Sequence, residues 1–220
     1  MVFPELSLTN YEPELGRRCA LDATDPRLLA FQRHADANGT AVAVGAPLRN
    51  EGKPIIALLV FAPGRAVTVI GKRHLHADEV PYFAPHEGVP SVLDLADRVG
   101  VAICYEISVP EHTDSVMAGD PAVYVASVAK TPGGVSDAYA TLSETARRHG
   151  VPALMVNSVG TCEGQRAGGG SVAIGRDGAV TARLGDAAEG VLIVDTATEV
   201  GKAVSVADAS GEGTARGAVD

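Results

Sequence analysis

The chain has 220 residues, of which 46% are hydrophobic, so its length and composition favour one large domain with a full core. Its 27 acidic residues outnumber its 18 basic ones, and the formal net charge of −9 disfavours nucleic acid as a partner, since phosphate neutralisation requires clustered bases. No apolar run reaches the ~20 residues of a membrane span, so we expect no membrane partner. The three widely spaced cysteines indicate neither a disulfide framework nor a zinc ribbon, so we expect a cytoplasmic protein.

The first third of the chain predicts one helix and four strands. Residues 1–6 have the composition of the end of a buried strand, which Pro4 terminates because proline cannot donate a ladder hydrogen bond, so that Glu5 follows the strand. Asp25 and Pro26 predict the start of a helix that runs to about residue 37. Short apolar runs separated by turn residues predict strands at residues 41–45, 55–61 and 66–70, and the last of these leads into Lys72.

The middle of the chain predicts alternating strands and helices. Residues 99–104 form an apolar run without polar alternation, typical of a strand buried on both faces, and it ends at Cys104. Pro110 predicts the start of the next helix. Further strands are predicted at residues 122–127 and 151–157, with a helix between them that Ser136 caps and that ends at Gly150.

The last part of the chain predicts strands only. A glycine-rich loop at residues 160–170 precedes a hairpin at residues 171–184 and a strand at residues 191–195. Together these elements predict an α/β fold with mixed sheets and helices on the outer faces. Residues 1–200 are expected to form the domain, and residues 201–220 a mobile tail, because that segment has few large apolar residues.

Three predicted strand ends carry the residue types that acyl transfer requires. The thiol of Cys104 is a potential nucleophile, the carboxylate of Glu5 can accept its proton, and the ammonium of Lys72 can stabilise an oxyanion. Taken singly, each residue has a simpler interpretation: a free cysteine is usually a small core residue, and a lone acid or lysine is usually a solvated surface group.

Residues 3–11, 71–75 and 99–106 resemble, in order and spacing, the three signature segments of the nitrilase superfamily, the carbon–nitrogen hydrolases. Residues 157–160 and 170–171 resemble its later segments. The resemblance implies a four-layer α-β-β-α sandwich, usually a homodimer, that needs no metal or organic cofactor. It implies these site residues: Cys104 as nucleophile, Glu5 as general base, Lys72 as oxyanion stabiliser, Glu79 as the glutamate that orients the lysine, and Tyr105, Glu106 and Asn157 as oxyanion or substrate-binding residues.

The implied activity is cysteine-dependent hydrolysis of a small-molecule amide through a thioester, with release of ammonia or an amine. Nitrile or N-carbamoyl hydrolysis by the same family is the nearest alternative. Two features depart from the family pattern: Ile70 replaces a common aromatic, and the usual first strand and helix are absent. That absence predicts an exposed strand edge, an uncovered apolar patch and low stability.

Two alternatives from other classes remain open. On an extended segment His74, His76 and Asp78 would share one face, which suggests a zinc-dependent hydrolase. The shortened N-terminus suggests a folded but inactive relative that only binds small molecules.

Overall fold

The computed structural model describes residues 1–88, 91–187 and 189–206. In chain order the strands are β1 (Val42–Leu48), β2 (Ile55–Phe61), β3 (Thr68–Gly71), β4 (Val92–Asp94), β5 (Arg98–Ile103), β6 (Val123–Val128), β7 (Ala153–Asn157), β8 (Thr161–Cys162), β9 (Gln165–Arg166), β10 (Val172–Ile174), β11 (Val180–Arg183), β12 (Gly190–Val194) and β13 (Gly201–Ser205). The α-helices are α1 (Pro13–Arg18), α2 (Leu29–Asn38), α3 (Pro110–Met117) and α4 (Pro132–His149).

The larger sheet has six strands in the order β11-β10-β7-β6-β5-β4. Its central strands β5, β6 and β7 are parallel, while the outer pairings are antiparallel. Ile103 pairs with Ser127, and Val128 pairs with Asn157, so the three parallel strands end at the same edge. The residues that follow them meet there, which is the edge where open α/β sheets place their sites.

The smaller sheet is antiparallel, in the order β1-β2-β3. Every residue of β1 and β2 is buried, because both faces of these apolar strands are covered. The outer edge of β1 is also hydrogen-bonded: Ala43 exchanges backbone bonds with Met1 and Phe3, and Leu21 bonds to Pro47 and Arg49 at the other end. The exposed edge expected from the shortened N-terminus is therefore not found at β1.

The hydrophobic clusters define four layers. Side chains of β2, such as Leu58, pack against those of β5, such as Ile103, so the two sheets face each other. The outer face of the larger sheet packs against α4 through Leu142, and the outer face of the smaller sheet packs against α2 through Ala35. This arrangement confirms the predicted α-β-β-α sandwich.

The helices differ from the predictions mainly at their starts. The first predicted helix begins as a 3₁₀ turn, Pro26–Leu28, which the side chain of Asp25 caps. Helix α4 begins at Pro132, not at Ser136, since proline suits the first helical position and the following Gly133 and Gly134 do not prevent the turn. The short helix α1 and the strand β4 were not predicted, because neither has a periodic apolar pattern long enough to detect.

The first residues of the segment expected to be a mobile tail form a strand. Strand β13 pairs antiparallel with β12 from Gly201 to Ser205, and backbone hydrogen bonds substitute for the large side chains that the segment lacks. The rest of the predicted tail, residues 207–220, lies outside the described residues. Among the described residues, no helix is long and apolar enough to span a membrane.

Gly45 of β1 allows the N-terminal segment to approach the strand. A Cβ at this position would lie 2.3 Å from the Leu6 nitrogen and 2.5 Å from the Pro4 oxygen, both backbone atoms that cannot rotate away. Gly45→Ala is expected to lower the free energy of unfolding by about 1–3 kcal/mol through overpacking, measured by urea denaturation.

Gly133→Ala is the matched control, because a Cβ on Gly133 meets nothing within 4 Å. This variant should be unchanged or up to about 1 kcal/mol more stable, given the higher helix propensity of alanine. Equal stability of the two variants would contradict the close approach at Gly45.

Candidate active site

Four side chains from three separate stretches of the chain meet at one site. Lys72 follows β3 and continues its ladder, since its N–H donates to the Ile56 carbonyl at 2.7 Å. Cys104 follows β5, Glu5 follows the N-terminal segment that pairs with β1, and Glu79 lies in the loop between β3 and β4. The side chains of Lys72, Glu5 and Glu79 are completely buried.

The ammonium group of Lys72 is bound between two carboxylates. Its Nζ lies 2.6 Å from Glu5 Oε1 and 2.6 Å from Glu79 Oε1. Burial alone would lower the pKa of Lys72, but the negative charges of Glu5 and Glu79, which its Nζ contacts, outweigh it and raise the pKa. Lys72 therefore stays protonated and acts as a fixed positive charge.

Glu79 is fixed by two more hydrogen bonds. The Tyr11 hydroxyl donates to Glu79 Oε1 at 3.0 Å, and the His76 backbone N–H donates to Oε2 at 2.7 Å. Burial raises the pKa of Tyr11, and the neighbouring carboxylates raise it further, so the hydroxyl remains a donor. Tyr11 was not predicted as a site residue, although it ends the first of the three signature-like segments, residues 3–11.

Glu5 differs from Glu79 because one of its oxygens has no partner. Among the described residues, nothing hydrogen-bonds to the buried Oε2. Burial raises the pKa of Glu5 to about 7, with a further increase from Glu79 that offsets part of the lowering by Lys72. A carboxyl with a pKa near neutrality and a free oxygen is suited to accept a proton.

Cys104 begins a short 3₁₀ helix, Cys104–Ser108, with a backbone φ of 48°. This left-handed conformation is strained for a residue with a side chain and marks a sharp turn at the strand end. Burial raises the pKa of Cys104 to about 12 and Glu5 adds to the increase, while Lys72 and Lys130 oppose it. The resting thiol is therefore protonated at neutral pH.

Tyr105 follows Cys104 in the chain, and Asn157 ends β7 at the same edge of the larger sheet. The Tyr105 side chain is 37% exposed and its ring packs edge-on against His76 at 5.4 Å. The Asn157 side chain accepts from Lys130 N at 2.8 Å and donates to Lys130 O and Gly169 O. The Asn157 amide thus connects the segments that follow β6 and β9, and its expected role as an oxyanion or substrate-binding residue stays a prediction.

Glu106 accepts hydrogen bonds from the backbone on both of its oxygens. It is completely buried, and the N–H groups of Arg73 and Ile103 donate to Oε1 and Oε2 respectively. Its expected role as an oxyanion or substrate-binding residue stays a prediction.

The histidines of the zinc alternative face different partners. His74 packs edge-on against His112 at 5.7 Å, whereas His76 packs against Tyr105 and pairs with Asp78. Within the described part of the chain, no group of three potential ligands is placed to hold a metal ion. The predicted shared face does not form, so the geometry gives the zinc alternative no support.

The chain matches one protein-family model and is similar in fold to solved structures. The carbon-nitrogen hydrolase family model matches residues 1–204. A cysteine-to-serine variant of an amidase of the nitrilase superfamily from Nesterenkonia AN1 superposes with a TM-score of 0.74 at 22% identity, over 84% of this chain and 74% of that chain. The comparison with curated proteins gives no match.

Two further structures of the amidase from Nesterenkonia sp. AN1 are also similar in fold. A cysteine-to-alanine variant in complex with butyramide has a TM-score of 0.73 at 22% identity, over 84% of this chain and 72% of that one. A glutamate-to-leucine variant carries the acetamide moiety of fluoroacetamide on its active-site cysteine, with a TM-score of 0.73 at 22% identity over 84% and 73%.

The hydrogen bond from Tyr11 can be tested by removing one oxygen atom. Tyr11→Phe is expected to lower the free energy of unfolding by about 1–3 kcal/mol, because a buried carboxylate loses a donor. Urea denaturation measures the change. Tyr82→Phe is the control, since the hydroxyl of this half-buried tyrosine makes no hydrogen bond with the described residues, and it should stay within about 0.5 kcal/mol of the wild type. Equal effects of the two variants would contradict a role of Tyr11 in fixing Glu79.

Proposed function

The chain belongs to the carbon–nitrogen hydrolase family, and we propose that it hydrolyses a small-molecule amide with Cys104 as the nucleophile. The observation that carries the proposal is the buried ammonium of Lys72 held between Glu5 and Glu79 beside the thiol. Such an arrangement supplies, within one site, a nucleophile, a base with an unoccupied oxygen and a fixed positive charge.

In the first half of the proposed reaction, Glu5 Oε2 takes the proton of the Cys104 thiol. The sulfur then forms a bond to the amide carbonyl carbon, and the carbonyl oxygen becomes an oxyanion. Lys72 and the backbone N–H of Tyr105 would stabilise this charge. When the C–N bond breaks, the leaving nitrogen takes the proton from Glu5 and departs as ammonia or an amine, which leaves a thioester on Cys104.

In the second half, water replaces the amine. Glu5 accepts a proton from the water molecule as its oxygen attacks the thioester carbon. The C–S bond then breaks, the acid is released, and the proton held by Glu5 returns to the sulfur. Lys72 remains protonated throughout, since its raised pKa makes it a poor proton donor.

The substrate class has indirect support. The related amidase structures contain butyramide in one case and an acetamide group on the active-site cysteine in another. By analogy we assign this chain to small aliphatic amides. A panel assay of ammonia release from amides, N-carbamoyl amino acids and nitriles tests the assignment, and turnover of nitriles or carbamoyl compounds alone would replace it.

Three earlier expectations stay predictions: a cytoplasmic location, a homodimeric state and independence from cofactors. The inactive-relative alternative also stays open. It is tested by titrating Cys104 with an acyl-type electrophile, because a preformed site should react faster than a free thiol while an inactive one should not.

Cysteine variants test the nucleophile. Cys104→Ala is expected to abolish ammonia release, because no other described thiol lies beside Glu5 and Lys72. Cys19→Ala and Cys162→Ala are the controls and should keep most of the activity, since one thiol is exposed and the other is buried against Asn10. Activity in Cys104→Ala would overturn the mechanism.

The pH dependence tests the base. Since the base must be unprotonated and the pKa of Glu5 is raised to about 7, kcat/KM should fall roughly tenfold per pH unit below about pH 7 and level off above it. Glu5→Gln should remove this fall in kcat/KM at low pH and reduce kcat by about 10²-fold or more. Circular dichroism at each pH controls for unfolding. A fall in kcat/KM that begins only near the ordinary glutamate pKa of ~4.3 would contradict the assignment of Glu5 as the base.

A further inference from the structure

Glu106 joins two segments that belong to different sheets. Its Oε1 accepts the backbone N–H groups of Arg73 at 2.6 Å and His74 at 3.3 Å, which follow Lys72 at the end of the smaller sheet. Its Oε2 accepts the backbone N–H of Ile103 at 2.8 Å, immediately before Cys104 in the larger sheet. One carboxylate therefore spans the two chain segments that carry Lys72 and Cys104.

The surroundings of Glu106 make this connection rigid. The residue is completely buried, and its nearest ionisable neighbour is His112 of α3, whose Nε2 lies 3.6 Å from Oε2. That same His112 nitrogen lies 3.2 Å from the Val101 carbonyl, so the imidazole is fixed to β5 as well. Hydrogen bonds from N–H groups to an ionised carboxylate are about twice as strong as neutral ones and resist stretching.

We propose that Glu106 is a positioning residue that sets the separation between the ammonium of Lys72 and the sulfur of Cys104. The proposal rests on the proposed function, in which these two groups act on the same carbonyl. Glu106 itself touches neither the thiol nor the ammonium and acts through the backbone on either side of it. Attack on a carbonyl tolerates little misplacement, and a shift of about 1 Å reduces rates by roughly 10²-fold.

Glu106→Gln tests the proposal with the smallest change of shape. The amide keeps one acceptor oxygen, but its NH₂ group now faces backbone N–H donors, so one of the two connections is lost. We expect kcat to fall by about 10²-fold while KM for the amide stays within about twofold. A rise in KM with unchanged kcat would instead indicate a substrate ligand and overturn the proposal.

A second measurement needs no substrate. The rate of Cys104 alkylation by iodoacetamide is followed against pH, by mass spectrometry of the Cys104 peptide. Three charged groups act on this thiol: Glu5 raises its pKa, while Lys72 and Lys130 lower it. Displacement of Lys72 should therefore move the alkylation profile of Glu106→Gln to higher pH. An unchanged profile together with unchanged kcat would overturn the proposal.

Leu28→Ala is the control for loss of stability alone. Leu28 is buried in the 3₁₀ turn Pro26–Leu28 and packs in the hydrophobic cluster on the outer face of the smaller sheet, which contains neither Cys104 nor Glu106, so its truncation should lower Tm but leave kcat and the alkylation profile unchanged. A lower Tm with the same kinetic losses in Leu28→Ala would show that Glu106 has only a structural role.

Glu106→Asp keeps the experiment decisive if Glu106→Gln does not fold. It retains the charge but is one methylene shorter, so it should restore part of the lost kcat, with about a tenfold deficit remaining. Full activity in Glu106→Asp would overturn the proposal. If the wild type hydrolyses no amide, the proposed function is wrong. The alkylation profile of Cys104 would still test whether Glu106 positions Lys72, because it needs no substrate.

Discussion

The site depends on an ammonium ion that is removed from water and held by two carboxylates. Taking each ion out of water costs several kcal/mol, and only short, well-oriented contacts offset that cost. Lys72 has two such contacts at 2.6 Å, and Glu79 accepts two further hydrogen bonds, from Tyr11 and the His76 backbone. Burial is the main cause of the raised pKa of Glu5, and the negative charge of Glu79 raises it further against the lowering by Lys72.

Lys72, Cys104 and Glu5 are each held in place by a different part of the fold. The smaller sheet ends at Lys72, the larger sheet ends at Cys104, and the N-terminal segment brings Glu5 against β1 where Gly45 leaves room for it. The packing of the two sheets thus sets the distance between nucleophile and cation, because neither strand end could reach the other if the sheets separated. Backbone contacts of the buried Glu106 connect the same two ends directly.

The sequence predicted the strands and the charged groups well because both leave local signals. Apolar runs such as β2 and β5 are visible without a structure, and residues at their ends, including Cys104, follow from strand length. The hydrogen-bond partners of Glu106 and Asn157 could not be predicted, since they are backbone groups brought close only by folding. The early start of α4 and the pairing of β13 were missed because glycine and small residues give no periodic signal.

The protonation pattern explains why a buried thiol can serve such a site. A permanent thiolate beside Glu5 and Glu79 would add a further negative charge to a region that already has an excess, so burial and Glu5 together keep the resting sulfur protonated. Transfer of its proton to Glu5 leaves the total charge of the group unchanged and only moves the negative charge onto the sulfur. The positive charge of Lys72 is already in place for the oxyanion that follows, so little reorganisation accompanies attack. A neutral thiol, a carboxylate with a pKa near neutrality and a permanently charged lysine are thus parts of one electrostatic arrangement.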